Sequence, residues 1–279
     1  MKPMPVRPAA AAPAALAALT LLLAGVPARS AEPGYTCLIE PMQRVELRSP
    51  VEGRIDAIHV ERGMEVKKGQ VLVELDTAVE RAALEAARFR TVMHGQVQSA
   101  DSRLAAAKEK FQRRDALVKE RYIATQDRDD SLAEMRVAEA NLVEAQDNQR
   151  LAALEQRRLS ETVEQRRLRS PISGVVTERL QAVGEVALSG DNSKPVLRLA
   201  QTDPLRVEVV LPVGMYGKVK RGDKVQVDAE APLAGRYTAN VTIVDRVVDA
   251  ASGTFGVRLE LPNPKGEIPA GIKCRARFS

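Results

Sequence analysis

The chain has 279 residues, 44% hydrophobic and 28% charged, an ordinary soluble balance that allows one or two domains. Aromatic residues are only 3%, with no Trp and two His, which argues against one large aromatic-cored globule and against a His-based catalytic site or zinc cage. The formal net charge of +5 comes largely from residues 1–30, which hold Lys2, Arg7 and Arg29 and no acid; the rest shows no clustered basic face for nucleic acid.

Residues 1–30 read as a signal peptide. Lys2 and Arg7 precede an apolar run, Ala14 to Val26, of 13 residues, too short for a bilayer span of ~20. Cleavage after Ala28 or after Ser30 fits the small residues that follow, and the alternative is an uncleaved anchor. Export predicts a periplasmic location. In an oxidising compartment the two cysteines, Cys37 and Cys274, are expected to pair, tying the N-terminal segment (31–44) to the last strand. The alternative is two unpaired small apolar residues.

Next comes a repeat. Arg48-Ser49-Pro50-Val51-Glu52-Gly53-Arg54-Ile55 recurs as Arg169-Ser170-Pro171-Ile172-Ser173-Gly174-Val175-Val176, and the same offset carries Gly63 onto Gly184. Val71 to Leu75 meets Pro195 to Leu199 after a short insertion. Both copies alternate as short strands, so 45–76 and 168–200 are expected to be two halves of one small β-sandwich. Gly53, Gly63, Gly174 and Gly184 mark its half-motif turns, with Gly53 and Gly174 expected at positive φ.

Residues 77–167 lie between the halves and read as helix. From Val79 to Val118 there is no Pro and one Gly, Gly95. A heptad seam runs through Val79, Ala83, Ala86, Arg90, Met93, Val97, Ala100, Leu104, Ala107, Phe111, Arg114 and Val118. The return arm carries Met135, Ala138, Leu142, Ala145, Ala152, Leu159 and Val163, interrupted by Gln149 and Gln156. The break falls at 121–126, with Thr125 as the expected N-cap of the second arm. Arms of about 42 residues predict a projection of ~60 Å. One continuous dimeric helix is the alternative, but the split halves must come back together, which requires a hairpin.

From 201 to 279, alternation over 205–211, 224–229, 237–244, 254–261 and 272–278, with Gly and Pro turns between, predicts a small β-barrel. The fold class is therefore mixed α and β, elongated and multidomain: a β-sandwich split by a long α-helical coiled-coil hairpin, then a β-barrel.

This order resembles the periplasmic adaptor, or membrane fusion protein, family of tripartite efflux and secretion systems. The split repeat looks like that family's lipoyl-like domain, and Val60 to Gln70 looks like its run between half-motifs. Val248-Asp249 with Thr254, and Ile268 to Gly271, are similar to its barrel turns. The resemblance implies an inner-membrane transporter as partner, RND-type before ABC-type, an outer-membrane channel protein, and self-association into a ring of three or six. It implies no cofactor, no metal and no catalysis. At the hairpin tip it implies channel docking by Arg113, Leu117 and Ala124, with Thr125 beside it. Three departures stand out: the chain stops at the end of the barrel, Ala124 occupies the family's Ser position, and Met64, Met93, Met135 and Met215 are too scattered for a metal cluster.

A lipoyl carrier would need a Lys at the junction near Asp76-Thr77-Ala78, and there is none. No phosphate-cradling loop, nucleophile elbow or zinc-spaced His pair is present. The remaining alternative is an envelope scaffold or spacer that uses the coiled coil to oligomerise.

Overall fold

The computed structural model describes residues 34–190, 193–231, 233 and 235–278. The expected signal peptide, 1–30, lies outside the described residues. In chain order the elements are β1 (Tyr35–Leu47), β2 (Gly53–Ile58), β3 (Glu65–Val66), β4 (Val71–Leu75), α1 (Ala78–Thr91), α2 (Gly95–Lys119) and α3 (Thr125–Gln165). Then follow β5 (Arg167–Arg169), β6 (Gly174–Arg179), β7 (Val186–Ala187), β8 (Leu197–Pro212), β9 (Lys224–Ala229), β10 (Arg236–Val244), β11 (Thr254–Leu261) and β12 (Ile272–Phe278).

The two halves of the repeat rejoin as one sandwich. One layer runs β1-β8-β6-β3 and the other β5-β4-β2-β7. The repeat maps β2 onto β6 and β3 onto β7, so each layer is the image of the other. Hydrogen bonds repeat the symmetry. Gly63 donates to Val176 O at 2.8 Å and Gly184 to Ile55 O at 2.9 Å, while Val176 donates to Met64 O and Ile55 to Glu185 O. Ser49 Oγ donates to Val51 O and Ser170 Oγ to Ile172 O, closing the same turn in each half. The inner faces meet over Ile55, Leu72, Val73, Leu75, Val176, Leu197 and Leu199, none more than 1% exposed. Neither half could cover its own apolar face, which is why the intervening hairpin must double back.

Gly63 and Gly184 both sit at φ 90 in turns, where a side chain would be strained. Gly53 and Gly174 correct the expectation of positive φ: each begins a strand, β2 or β6, and neither is among the positive-φ residues. Space is the reason. A Cβ on Gly174 would collide with the Ala200 carbonyl oxygen and lie 2.8 Å from its carbon, and one on Gly53 would lie 2.9 Å from Arg166 Nη1 and 3.3 Å from Leu75 Cδ1.

The barrel closes in the order β1-β12-β9-β10-β11-β8, with β8 returning to pair with β1. Along β8, Leu205, Val207, Val209 and Leu211 point inward and are at most 1% exposed, the alternation read from the sequence. Phe255, Leu259 and Leu261 of β11 fill the same core. Cys37 lies opposite Cys274 in the β1–β12 ladder, and the two form a disulfide.

The sandwich and the barrel share strands. β1 pairs with β8 through Cys37–Pro41 in the barrel and again through Gln43–Leu47 in the sandwich, with a register shift between Pro41 and Gln43. The boundaries read at 44/45 and 200/201 therefore fall inside continuous strands. Buried Asn263 fastens the joint: its N–H donates to Asp203 at 2.8 Å and its Nδ2 to Thr202 O and Ile268 O, while Ile268 N–H returns a bond to its Oδ1.

Candidate functional site: the hairpin and its tip

The arms are held at the base by ion pairs. Arg166 bridges Glu80 at 2.5 Å and donates to Asp76 O. Glu164, at the end of α3, meets Arg167 at 2.9 Å and Arg169 at 3.0 Å. The Arg169 hydrogen bond, with the charge of Arg167 beside it, holds the Glu164 carboxyl below its ordinary value. Further out, Lys110 of α2 pairs with Glu134 of α3 at 2.5 Å.

The first arm is not continuous. α1 ends at Thr91 and α2 begins at Gly95, and the seam changes phase between them. In α2 the expected positions Val97, Ala100, Leu104, Ala107, Phe111, Arg114 and Val118 are all at least partly buried. In α1 the buried residues are Leu84 and Ala87, one position after the expected Ala83 and Ala86, and Val79 is exposed. The cause is the chain end at the base. Glu80 must face Arg166, which fixes the rotation of α1, and the break at 92–94 absorbs the difference. His94 Nδ1 lies 2.6 Å from Gln149 Nε2, so a seam-interrupting Gln has its partner at the break. On α3 every expected seam position is at least partly buried.

The tip is built by helix termination. Arg121 N–H donates to Val118 O and Tyr122 N–H to Leu117 O, both 2.9 Å, the paired bonds of a Schellman motif. Arg121 takes φ 63, a conformation usually left to Gly. Arg114 crosses to the second arm and donates to Asp127 O at 2.9 Å. Ala124, in extended conformation, is the N-cap of α3, and Thr125 is the first helical residue. No side-chain cap bond forms, which corrects the assignment of Thr125 as N-cap. The hydroxyl of Ser131, fully buried and six residues further on, donates to Arg128 O.

Arg113 and Leu117 stand one turn apart on the outer face of α2. Arg113 is 69% exposed and makes only a 3.5 Å contact to Glu109, and Leu117 is 40% exposed. Ala124 and Thr125 are also exposed, across the turn. Sequence reading missed two tip residues. Arg121 gave no signal, because its backbone state is set by the turn, and Tyr122, 73% exposed, read as an ordinary break residue. Among the described residues no three His, Cys, Asp or Glu side chains gather as a metal site, and no helix is long and apolar enough to cross a membrane.

Residues 43–199 match the family model for the barrel-sandwich hybrid domain of RND MFP, and residues 205–279 the CusB-like β-barrel domain. The chain belongs to the membrane fusion protein family. Multidrug resistance protein MdtE of Escherichia coli K12 is 27% identical over 270 residues, covering 92% of this chain and 66% of its own length. Multidrug resistance protein MdtA of Photorhabdus laumondii is 28% identical over 231 residues, covering 81% and 54%. The chain thus spans between about half and two thirds of these curated relatives. The crystal structure of MacA from Actinobacillus actinomycetemcomitans shares the fold, with a TM-score of 0.72 at 21% identity over 87% of this membrane fusion protein and 76% of that chain.

Proposed function

We propose that this membrane fusion protein is the periplasmic adaptor of an efflux or export complex, bridging an inner-membrane transporter to an outer-membrane channel without catalysis. The observation that carries the reading is geometric. A two-armed hairpin is inserted between the sister halves of one sandwich, and its tip presents Arg113 and Leu117 on an exposed face. A charged and an apolar contact one helical turn apart suit a protein-docking end, where Arg serves as an anchor. Ala124 and Thr125 extend that face across the turn. The sandwich and barrel form the ring-building part, three or six copies packing head to tail, a contact that closes when the rotation per subunit allows. The transporter is of RND type first, consistent with the family model matched over 43–199, and of ABC type second. The chain reaches the periplasm through residues 1–30 and stays at the inner membrane through its transporter.

Deleting the gene in its host and challenging the strain with drugs, detergents and metals tests the reading. Loss of tolerance to at least one class, with an inner-membrane transporter co-purifying with the tagged chain, is expected. Unchanged tolerance, with only self-association recovered, makes the chain an envelope spacer instead.

A further inference from the structure

The barrel end away from the sandwich carries a surface that the adaptor reading does not use. Strand register defines this end. β11 starts with Thr254 opposite Pro212, where β8 stops; Lys224 of β9 lies beside Asn240 of β10; Phe278 of β12 lies beside Val225; and β1 begins with Tyr35 opposite Ala276. Loops 213–223 and 245–253 therefore cap it together.

The chemistry of this end is one-sided. Lys218, Lys220, Arg221 and Lys224 come from the first loop and the strand start after it, and Arg246 from the second loop. A depression of about 500 Å3 between the loops is lined by Lys220, Arg221 and Arg246 together with Tyr216 and Ile243, and by no carboxylate. The nearby acids are turned to the backbone. Asp223 accepts from Lys220 N–H at 2.7 Å, Asp249 accepts from Ala251 N–H at 2.9 Å, and Asp245 lies over Gly256. At the loop tips two aliphatic side chains face solvent, Val247 at 83% and Val213 at 52% exposure.

Cations around bare aliphatic tips are the composition of a surface that sits in the headgroup layer of an anionic bilayer. The cations meet phosphates, and the aliphatics enter the acyl boundary. A protein acceptor would be met by packed apolar anchors, whereas Val247 and Val213 are bare loop side chains, 83% and 52% exposed. We propose that this end of the barrel docks on anionic phospholipid headgroups. The inference needs no transporter or channel, so it fails or holds separately from the adaptor reading.

Vesicle sedimentation of residues 31–279 tests it, with phosphatidylethanolamine–phosphatidylglycerol vesicles against phosphatidylcholine alone. Binding to the anionic vesicles only, weakening with salt, is expected. Each Lys or Arg near such a surface contributes roughly a factor of five, so Lys220→Gln, Arg221→Gln and Arg246→Gln together should lower binding about a hundred-fold. Val247→Asp should lower it without touching a cation, and Lys67→Gln with Lys68→Gln, on the sandwich, should leave it unchanged. Equal binding to neutral vesicles, or equal loss in the Lys67 and Lys68 variant, would overturn the proposal. So would capture of an acidic protein with no vesicle binding, which assigns the surface to a protein partner.

Discussion

Gly53 and Gly174 hold equivalent places in the repeat, yet the structure makes them unequal. Beside Gly174 stands the Ala200 carbonyl, which cannot move without breaking the β6–β8 ladder; beside Gly53 stands the end of the Arg166 side chain, which can. Gly174→Ala should therefore cost about 3 kcal/mol and Gly53→Ala about 1 kcal/mol or less, read from denaturant midpoints. The sequence repeat marked both positions, but its reason was a turn and the true one is a close approach, because a contact from β8 is invisible in the local run. Glu164 supplies a second test. Its folded pKa lies below the ordinary 4.5, so its contribution is full above that value and is lost as pH falls through the lower folded one. The pair is half exposed, so the loss is at most about 0.5 kcal/mol. Thermal midpoints of Glu164→Gln should fall short of those of the unmodified chain at pH 7, and the gap should close only as pH falls well below 4.5.

Among elements, the hairpin shows how far periodicity reaches. The heptad pattern located the seam of α2 and α3 correctly, since apolar spacing alone sets which face turns to the partner arm. In α1 it failed by one residue. There the rotation follows the Glu80–Arg166 pair, a contact between residues 86 apart that no heptad contains. The tip also carries a local cost. Arg121 at φ 63 ends α2 where Gly would do so freely, so Arg121→Gly should stabilise the fold by about 1 kcal/mol in thermal unfolding. A strained residue retained at an exposed tip fits a docking role. The same variant should then weaken channel engagement while raising stability, and unchanged engagement would make Arg121 a simple helix stop.

For the molecule as a whole, the barrel strands from 205 onward were legible almost to the residue, because alternation is strict there. The sharing of β1 and β8 between two modules was not. A strand that is continuous in space but crosses a register shift at Pro41 and Gln43 reads as two short runs. This sharing predicts one cooperative unfolding transition for sandwich and barrel. Reducing the disulfide between Cys37 and Cys274, 237 residues apart, should lower that transition by roughly 3–5 kcal/mol rather than split it. Two transitions in calorimetry would show that the modules fold apart. The adaptor reading, in turn, depends on what the hairpin tip touches in the cell. A photo-activated cross-linker at Leu117 in the exported protein should capture an outer-membrane channel protein, and Arg113→Asp should abolish that product while leaving the protein folded. Capture of nothing but a second copy of this chain, unchanged by Arg113→Asp, would contradict the account.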